Sequence, residues 1–170
     1  IIGQGSMGLE CMQIARVSGA GKIITVDVRE EACAMSKELG ADYATNAAKE
    51  DPVEAIRALT DGNGADIVFE CAGGSPTQGM AGVKSVLQAM DAVRSGGKII
   101  GVSWFGGPIE LPVDTLRERS LRYLFPDIST REHLAHTVRL VASGRVNLHP
   151  TIRHVLTGIE LVPQAFEITA

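Results

Sequence analysis

Cysteine, tryptophan and aromatic residues in general are scarce in this sequence of 170 residues, at three, one and 4% respectively. Cys11, Cys33 and Cys71 are odd in number, far apart and form no CxxC pair. That argues against a disulfide framework and against a cysteine-built structural zinc site, and makes a reducing, cytoplasmic setting the expectation. No apolar run approaches the ~20 residues of a membrane helix. The longest candidate, residues 9–17, is broken by Glu10, Gln13 and Arg16, and no charged segment precedes an apolar one as in a secretory leader. A block of Lys and Arg is also missing: 16 Lys+Arg against 20 Asp+Glu leave a formal net charge of -4, so the surface lacks the cations that a phosphate backbone requires, and nucleic acid is not expected as a partner. Ile1-Ile2-Gly3 reads as the end of a buried strand entering a glycine turn with no Met before it, so the chain is expected to be cut from something longer.

What is present describes a globular protein. Hydrophobic residues make up 45% and charged residues 21%, enough for one domain with a real core and a small appended piece. Short β-rich runs alternate with amphipathic stretches, the pattern of βαβ units around a parallel sheet. Residues 22–28 (KIITVDV), 65–70 (ADIVFE), 98–103 (KIIGVS) and 121–125 (LRYLF) read as strands. Helices are expected at 9–17, at 30–39, after Asp51 as N-cap with Pro52 at the first position, and over 77–94 with Met80, Val83, Leu87 and Met90 inward, ended by Gly96-Gly97. A capping box of Ser129 and Glu132 should open another, carrying Leu134, Val138 and Val141. No element is assigned to 41–50, and 104–120 shows no clear period. Residues 152–156 read as a short strand and 162–168 as a last helix. The fold class is α/β: a doubly wound parallel sheet of the Rossmann type in three layers, with one domain over 1–144 and a separate C-terminal segment over 145–170.

Gly3-Gln4-Gly5-Ser6-Met7-Gly8 is a GxGxxG that follows a strand, opens a helix and is followed about 20 residues on by Asp27 at the end of the next strand. Gly3 permits the sharp turn, Gly5 lets a pyrophosphate approach the backbone, and Gly8 lets helix and sheet pack closely. The N–H groups of Ser6, Met7 and Gly8 lie at the positive end of a helix. No Lys stands at a P-loop position, so mononucleotide phosphoryl transfer is not indicated. Asp27 can accept from both ribose hydroxyls of an adenosine, and would repel a 2'-phosphate at ~4 Å by ~4 kcal/mol at an effective dielectric of ~20. NAD is therefore expected over NADP. Arg29 can pair with a phosphate or lie over the adenine. Cys71-Ala72-Gly73-Gly74 follows a strand with residues small enough to let the nicotinamide half pass, Cys71 itself reading as a structural thiol and Glu70 as the acceptor of a local hydrogen bond. His133 and His136 stand three apart on a helix but lack a third ligand, and Trp104-Phe105 reads as packing.

The assembled pattern resembles the cofactor-binding half of the medium-chain, alcohol-dehydrogenase-like dehydrogenases and reductases. The stretches that carry it are IIGQGSMGLECMQIARVSGAGKIITVDV, SKELGADY, GNGADIVFECAGG, RSGGKIIGV and HVLTGIELVPQAFEITA, and the zinc-dependent alcohol, polyol and threonine dehydrogenase branch looks closest. The resemblance implies hydride transfer between NAD and a small alcohol or carbonyl compound, with zinc as Lewis acid in the full-length parent only, because the family's Gly-His-Glu motif and four-cysteine lobe are not in this sequence. It places Gly3, Gly5, Ser6, Met7 and Gly8 on the pyrophosphate, Asp27 on the ribose, and Ala72, Gly73, Gly74, Ile100 and Val102 at the nicotinamide end, with no catalytic residue in this chain. A lysine the family often carries five residues after the acidic one is Ala32 here. The resemblance also implies a homodimer through the 121–125 edge, and a tail that returns toward the catalytic domain. Two other readings stand beside this one: an S-adenosylmethionine-dependent methyltransferase, which shares the glycine turn and the acidic residue, and a stand-alone nucleotide-binding module.

Overall fold

The computed structural model describes residues 1–75, 80–152 and 154–169. Five strands pair in parallel: β1 (Ile24–Asp27) with β2 (Tyr43–Asn46), and β3 (Ala65–Glu70) with β4 (Val93–Gly101), which in turn pairs with β5 (Arg122–Leu124). Ile2 stands between the two groups, bridging Val26 on one side and Glu70 on the other. Its N–H donates to Phe69 O at 2.9 Å, and its carbonyl accepts from Cys71 N at 2.8 Å. The spatial order is therefore β2, β1, Ile2, β3, β4, β5. The chain starts at the centre, winds one way, crosses back and winds the other, which makes Ile2-Gly3 the switch point of a doubly wound sheet.

Helices cover both faces. On one lie α1 (Ser6–Val17) and α2 (Glu30–Glu38), whose Met12, Ala15 and Leu39 cluster with Ile23 and Ala41, while the Ser36 hydroxyl meets Thr25 of β1 at 2.8 Å. On the other, α3 (Pro52–Ala58) and α4 (Val83–Ala92) set Ile56, Val86, Ala89 and Met90 against Val26, Val68, Val93 and Ile99. Val86, Ala89, Val93 and Ile99 are completely buried, and burial on this scale contributes about 1.5–3 kcal/mol for each large aliphatic side chain. α5 (Val113–Glu118), α6 (Arg131–Ala142) and α7 (Val162–Thr169) complete the chain. The C-terminal segment is tied to α1, where Gln13 donates to Asn147 O at 3.1 Å and accepts from Asn147 N at 2.7 Å.

Several sequence expectations need correction. β2 lies in the unassigned stretch 41–50; its YATN sequence has no apolar alternation, and it is held by pairing along the whole of β1. The helix expected over 77–94 is α4, ten residues that stop at Ala92, and Thr77 lies outside the described residues. Its inward side is Ser85, Val86, Ala89 and Met90, while Leu87 is exposed. Arg119 ends it by donating to the carbonyls of Met90 and Val93, so Gly96-Gly97 fall inside β4, in a break of the β3–β4 register. The cap of α6 is Thr130, not Ser129. The Thr130 hydroxyl accepts from His133 N at 3.2 Å, and Nδ1 of His133 accepts from Thr130 N at 3.3 Å. An imidazole thus takes the place of the Glu or Gln that the capping-box pattern names. The α6 stripe also fails, since Leu134 and Val138 are exposed and Leu140 is the buried residue. No strand forms among the described residues of 152–156, and α5 arises in the stretch without a clear period.

Candidate functional site

The carboxyl ends of Ile2, β1, β3 and β4 converge on one crevice. Its floor is the glycine turn. Gly3 has φ +89°, and a Cβ there would sit 2.8 Å from Ala72 Cβ; a Cβ on Gly8 would lie 1.8 Å from the Gly3 carbonyl oxygen. These two glycines are required by internal packing. Gly5 is different: a Cβ there would meet nothing within 4 Å, so its bareness serves no contact inside the chain and leaves space at the start of α1. Gly5 is the N-cap of α1, makes no side-chain cap, and no acidic residue occupies the first turn. The first N–H groups of a helix have no intrahelical acceptor and carry its positive dipole end. An open, uncapped helix start behind a Cβ-free residue suits a pyrophosphate, so these residues fit the dinucleotide that the fold implies.

Asp27 closes the β1 side of the crevice. It is 8% exposed, and its two oxygens accept four hydrogen bonds. Oδ1 takes Arg29 N at 2.9 Å and Arg29 Nε at 3.0 Å; Oδ2 takes Gln4 N at 2.7 Å and Arg29 Nη2 at 3.1 Å. Burial pushes the carboxyl up, but the side-chain and backbone hydrogen bonds from Arg29, with that from Gln4, outweigh it and hold the group below the usual carboxylate range. A carboxylate offers about four lone-pair sites, so Asp27 is saturated. Two of its partners are backbone groups built into the fold, while the two from the Arg29 side chain belong to a residue whose side chain is 39% exposed.

Across the switch point from Asp27 stand two loops, 71–74 after β3 and 102–105 after β4. Glu70 is completely buried at the end of β3. Its Oε1 accepts from Ala72 N at 2.9 Å, Gly73 N at 2.7 Å and Ser103 Oγ at 3.3 Å, so the local bond expected of it is in fact a set spanning both loops. A Cβ on Gly73 would lie 2.5 Å from the Phe105 ring, and Phe105 packs toward the core while Trp104 is 87% exposed. Packing therefore describes Phe105 and not Trp104. Val102 follows β4 directly, whereas Ile100 lies within it, paired with Phe69 and Leu124. The Cys71 thiol hydrogen-bonds to Cys11 of α1; that bond and burial both push it up.

The structure thus brings Gly3, Gly5, Ser6, Met7, Gly8, Asp27, Arg29, Ala72 and Gly73 to one end of the sheet. Two participants escaped the sequence reading. Gln4, a variable position of the motif, is completely buried and supplies the N–H that holds Asp27. Ser103 joins the Glu70 set. The extent of Glu70's role was legible only in part: the signal was a carboxylate two residues beyond the buried Val68, on the same face of a strand. The histidines stand apart, His133 serving as a helix cap. Among the described residues no group of three or more His, Cys, Asp or Glu could hold a metal ion, and no helix is long and apolar enough to cross a membrane. A cavity of about 680 Å³ lies away from the crevice, beneath Ile1, between the starts of β1 and β3.

Comparison with known proteins finds dehydrogenases of the same fold. The zinc-binding dehydrogenase family model matches residues 6–143. L-threonine 3-dehydrogenase of Pyrococcus furiosus is 30% identical over 99% of this chain and 47% of its own length. An uncharacterized zinc-type alcohol dehydrogenase-like protein of Escherichia coli is 34% identical over 98% of this chain and 45% of its own length. Among solved structures, the alcohol dehydrogenase TADH from Thermus sp. ATN1 superposes with a TM-score of 0.85 at 28% identity, covering 99% of this chain and 46% of that one. The chain spans less than half the length of these relatives.

Proposed function

The chain belongs to the zinc-binding dehydrogenase family, and from that membership and the crevice we propose that it is the NAD-holding part of an oxidoreductase that moves a hydride between NAD and a small alcohol or carbonyl compound. Membership sets aside the methyltransferase reading. The observation that carries the proposal is the contrast among the three glycines: Gly3 and Gly8 are demanded by packing, while Gly5 leaves open space against an uncapped helix start. The pyrophosphate would lie there, over the N–H groups of Ser6, Met7 and Gly8.

The adenosine ribose would be taken by Asp27 through an exchange. Release of the Arg29 side chain frees one acceptor position on each carboxylate oxygen, which is what two ribose hydroxyls need, while Gln4 N and Arg29 N keep the carboxylate in place. Ala72, Gly73, Gly74 and Val102 would border the nicotinamide. When bound, NAD supplies the hydride acceptor; the residues here bind and orient it, and none acts as acid, base or nucleophile. Zinc is proposed for the full-length parent alone, and no step is derived through it.

Calorimetric titration of the chain with NAD, NADP and S-adenosylmethionine tests the reading. NAD is expected to bind at least about tenfold more tightly than NADP, a difference of about 1.4 kcal/mol, with no heat from S-adenosylmethionine. Equal binding of NAD and NADP would remove the role given to Asp27, and absence of NAD binding would overturn the proposal as a whole.

A further inference from the structure

Glu70 is a completely buried acidic side chain that the cofactor reading leaves unused. It has no cation partner among the described residues. Taking a carboxylate out of water is costly unless hydrogen bonds replace the lost hydration. Here the replacement is concentrated on one oxygen. Oε1 takes both loop N–H groups and the Ser103 hydroxyl, while Oε2 has no partner among the described residues. The same residue's backbone carbonyl accepts Val102 N at 2.9 Å and Ser103 N at 3.2 Å, and Gly73 N is shared with Ser103 Oγ at 2.9 Å. Glu70 therefore fixes two backbone amides on each loop, Ala72 and Gly73 through its carboxylate and Val102 and Ser103 through its backbone carbonyl.

A strand could end here with a Gln or a Thr at far lower desolvation cost, so bare strand termination does not account for a carboxylate. The placement does. The two loops lie at the carboxyl ends of adjacent parallel strands beside the switch point, where a ligand crosses an open α/β sheet. A negative acceptor makes stronger hydrogen bonds to backbone N–H groups than a neutral one; the carboxylate holds the 71–74 loop directly and reaches the 102–105 loop through the Ser103 hydroxyl, which also accepts Gly73 N, so the side chain ties the two loops together.

We propose that Glu70 is a positioning residue for the nicotinamide half of the cofactor: it clamps the 71–74 and 102–105 loops into one rigid wall and never touches the ligand itself. The proposal rests on the NAD reading above, and adds that only one half of the dinucleotide depends on this residue. ADP-ribose carries the pyrophosphate and adenosine without the nicotinamide, so the two ligands separate the clamp from the rest of the crevice.

The test is titration of wild type, Glu70→Gln, Glu70→Ala and Ser103→Ala with NAD and with ADP-ribose, alongside amide hydrogen exchange at Gly73. In Glu70→Ala, NAD affinity should fall about tenfold or more while ADP-ribose affinity stays within about twofold, and Gly73 exchange should quicken; tenfold corresponds to the loss of a charge-assisted bond set. Glu70→Gln, which keeps one acceptor oxygen, should recover most of the NAD affinity. Ser103→Ala should give a smaller selective loss and serves in place of Glu70→Ala if that variant does not fold. Equal losses for both ligands, or none for either, in variants that remain folded would overturn the clamp while leaving the NAD reading intact. Wild type that binds ADP-ribose and NAD with the same affinity would also overturn it. Wild type that binds neither would overturn both.

Discussion

Arg29 is the residue whose position changes the argument most. Read from the sequence, Asp27 is a free carboxylate that repels a 2'-phosphate; in the structure its charge is covered by a guanidinium bonded to both oxygens. The repulsion of ~4 kcal/mol computed for a bare pair at an effective dielectric of ~20 is thus an upper figure, and Arg29 is the residue that reduces it. Its own affinity for the proton rises on account of the hydrogen bond to Asp27, so it stays a cation under all ordinary conditions. Replacing Arg29 with Ala should leave NAD affinity within about threefold and weaken NADP by about tenfold, because the phosphate then meets Asp27 with no compensating charge. Competition of the two nucleotides on the variant measures this directly, and a narrowed gap between them would contradict the role given to Arg29. Gln4 shows the limit of motif reading at this scale. Its place in the pattern is a variable one, yet its side-chain N–H groups hold the carbonyls of Ile1 and Gly3 at 3.1 and 2.9 Å and its backbone holds Asp27.

At the scale of elements, what the sequence shows well is what is encoded locally. α3 is the clearest case: Asp51 Oδ1 accepts from Val53 N at 2.8 Å and Glu54 N at 3.1 Å, with Pro52 at the first helical position. Asp51→Ala should destabilise the fold by about 1 kcal/mol, seen as a lowered urea midpoint at unchanged slope; no shift in the midpoint would mean that the cap contributes nothing. β3 was legible to the residue, and the starts of α2 and α3 were right, because a strand of apolar residues or a capped helix carries its own signal. The misplaced elements depend on partners distant in sequence. α4 ends where Arg119 reaches its last carbonyls, almost thirty residues downstream. β2 has weak strand composition and is ordered by β1. The cap of α6 was missed by one residue because an imidazole stands where the rule names a carboxylate or amide. The same division runs through the site: the glycine turn and Asp27 are local and were legible, while the bond from Gln4 N to Asp27 and that from the Ser103 hydroxyl to Glu70 exist only once the strands are side by side.

For the whole molecule, the sheet has an edge at β5, which among the described residues pairs with β4 on one side only. Leu124 and Phe125 are 43% and 69% exposed there, and the Tyr123 and Phe125 rings meet edge to face at 5.1 Å. An edge of this kind invites pairing unless it is covered, and a two-fold mate would cover it with the same segment. Leu121, Tyr123, Leu124 and Phe125 all belong to this stretch, but the Tyr123 hydroxyl is enclosed, so the outward residues are the ones to change. Light scattering should report a dimer for wild type and a monomer for Leu124→Lys with Phe125→Lys; a wild-type monomer at high micromolar concentration would refute the assembly. The seam at Ile2 bears on a different property. Val26 on one side of it and Val68 on the other belong to a single buried cluster with Ile2, Ile56, Val86 and Ile99, so the apolar core runs without a break beneath both groups of strands. Cooperativity in a sheet travels through the side chains packed across it as well as through its hydrogen-bonded ladder, and here the packed layer carries it from one group to the other. Heating should therefore give a calorimetric enthalpy equal to the van't Hoff value; a calorimetric value clearly the larger would show that the two groups open separately.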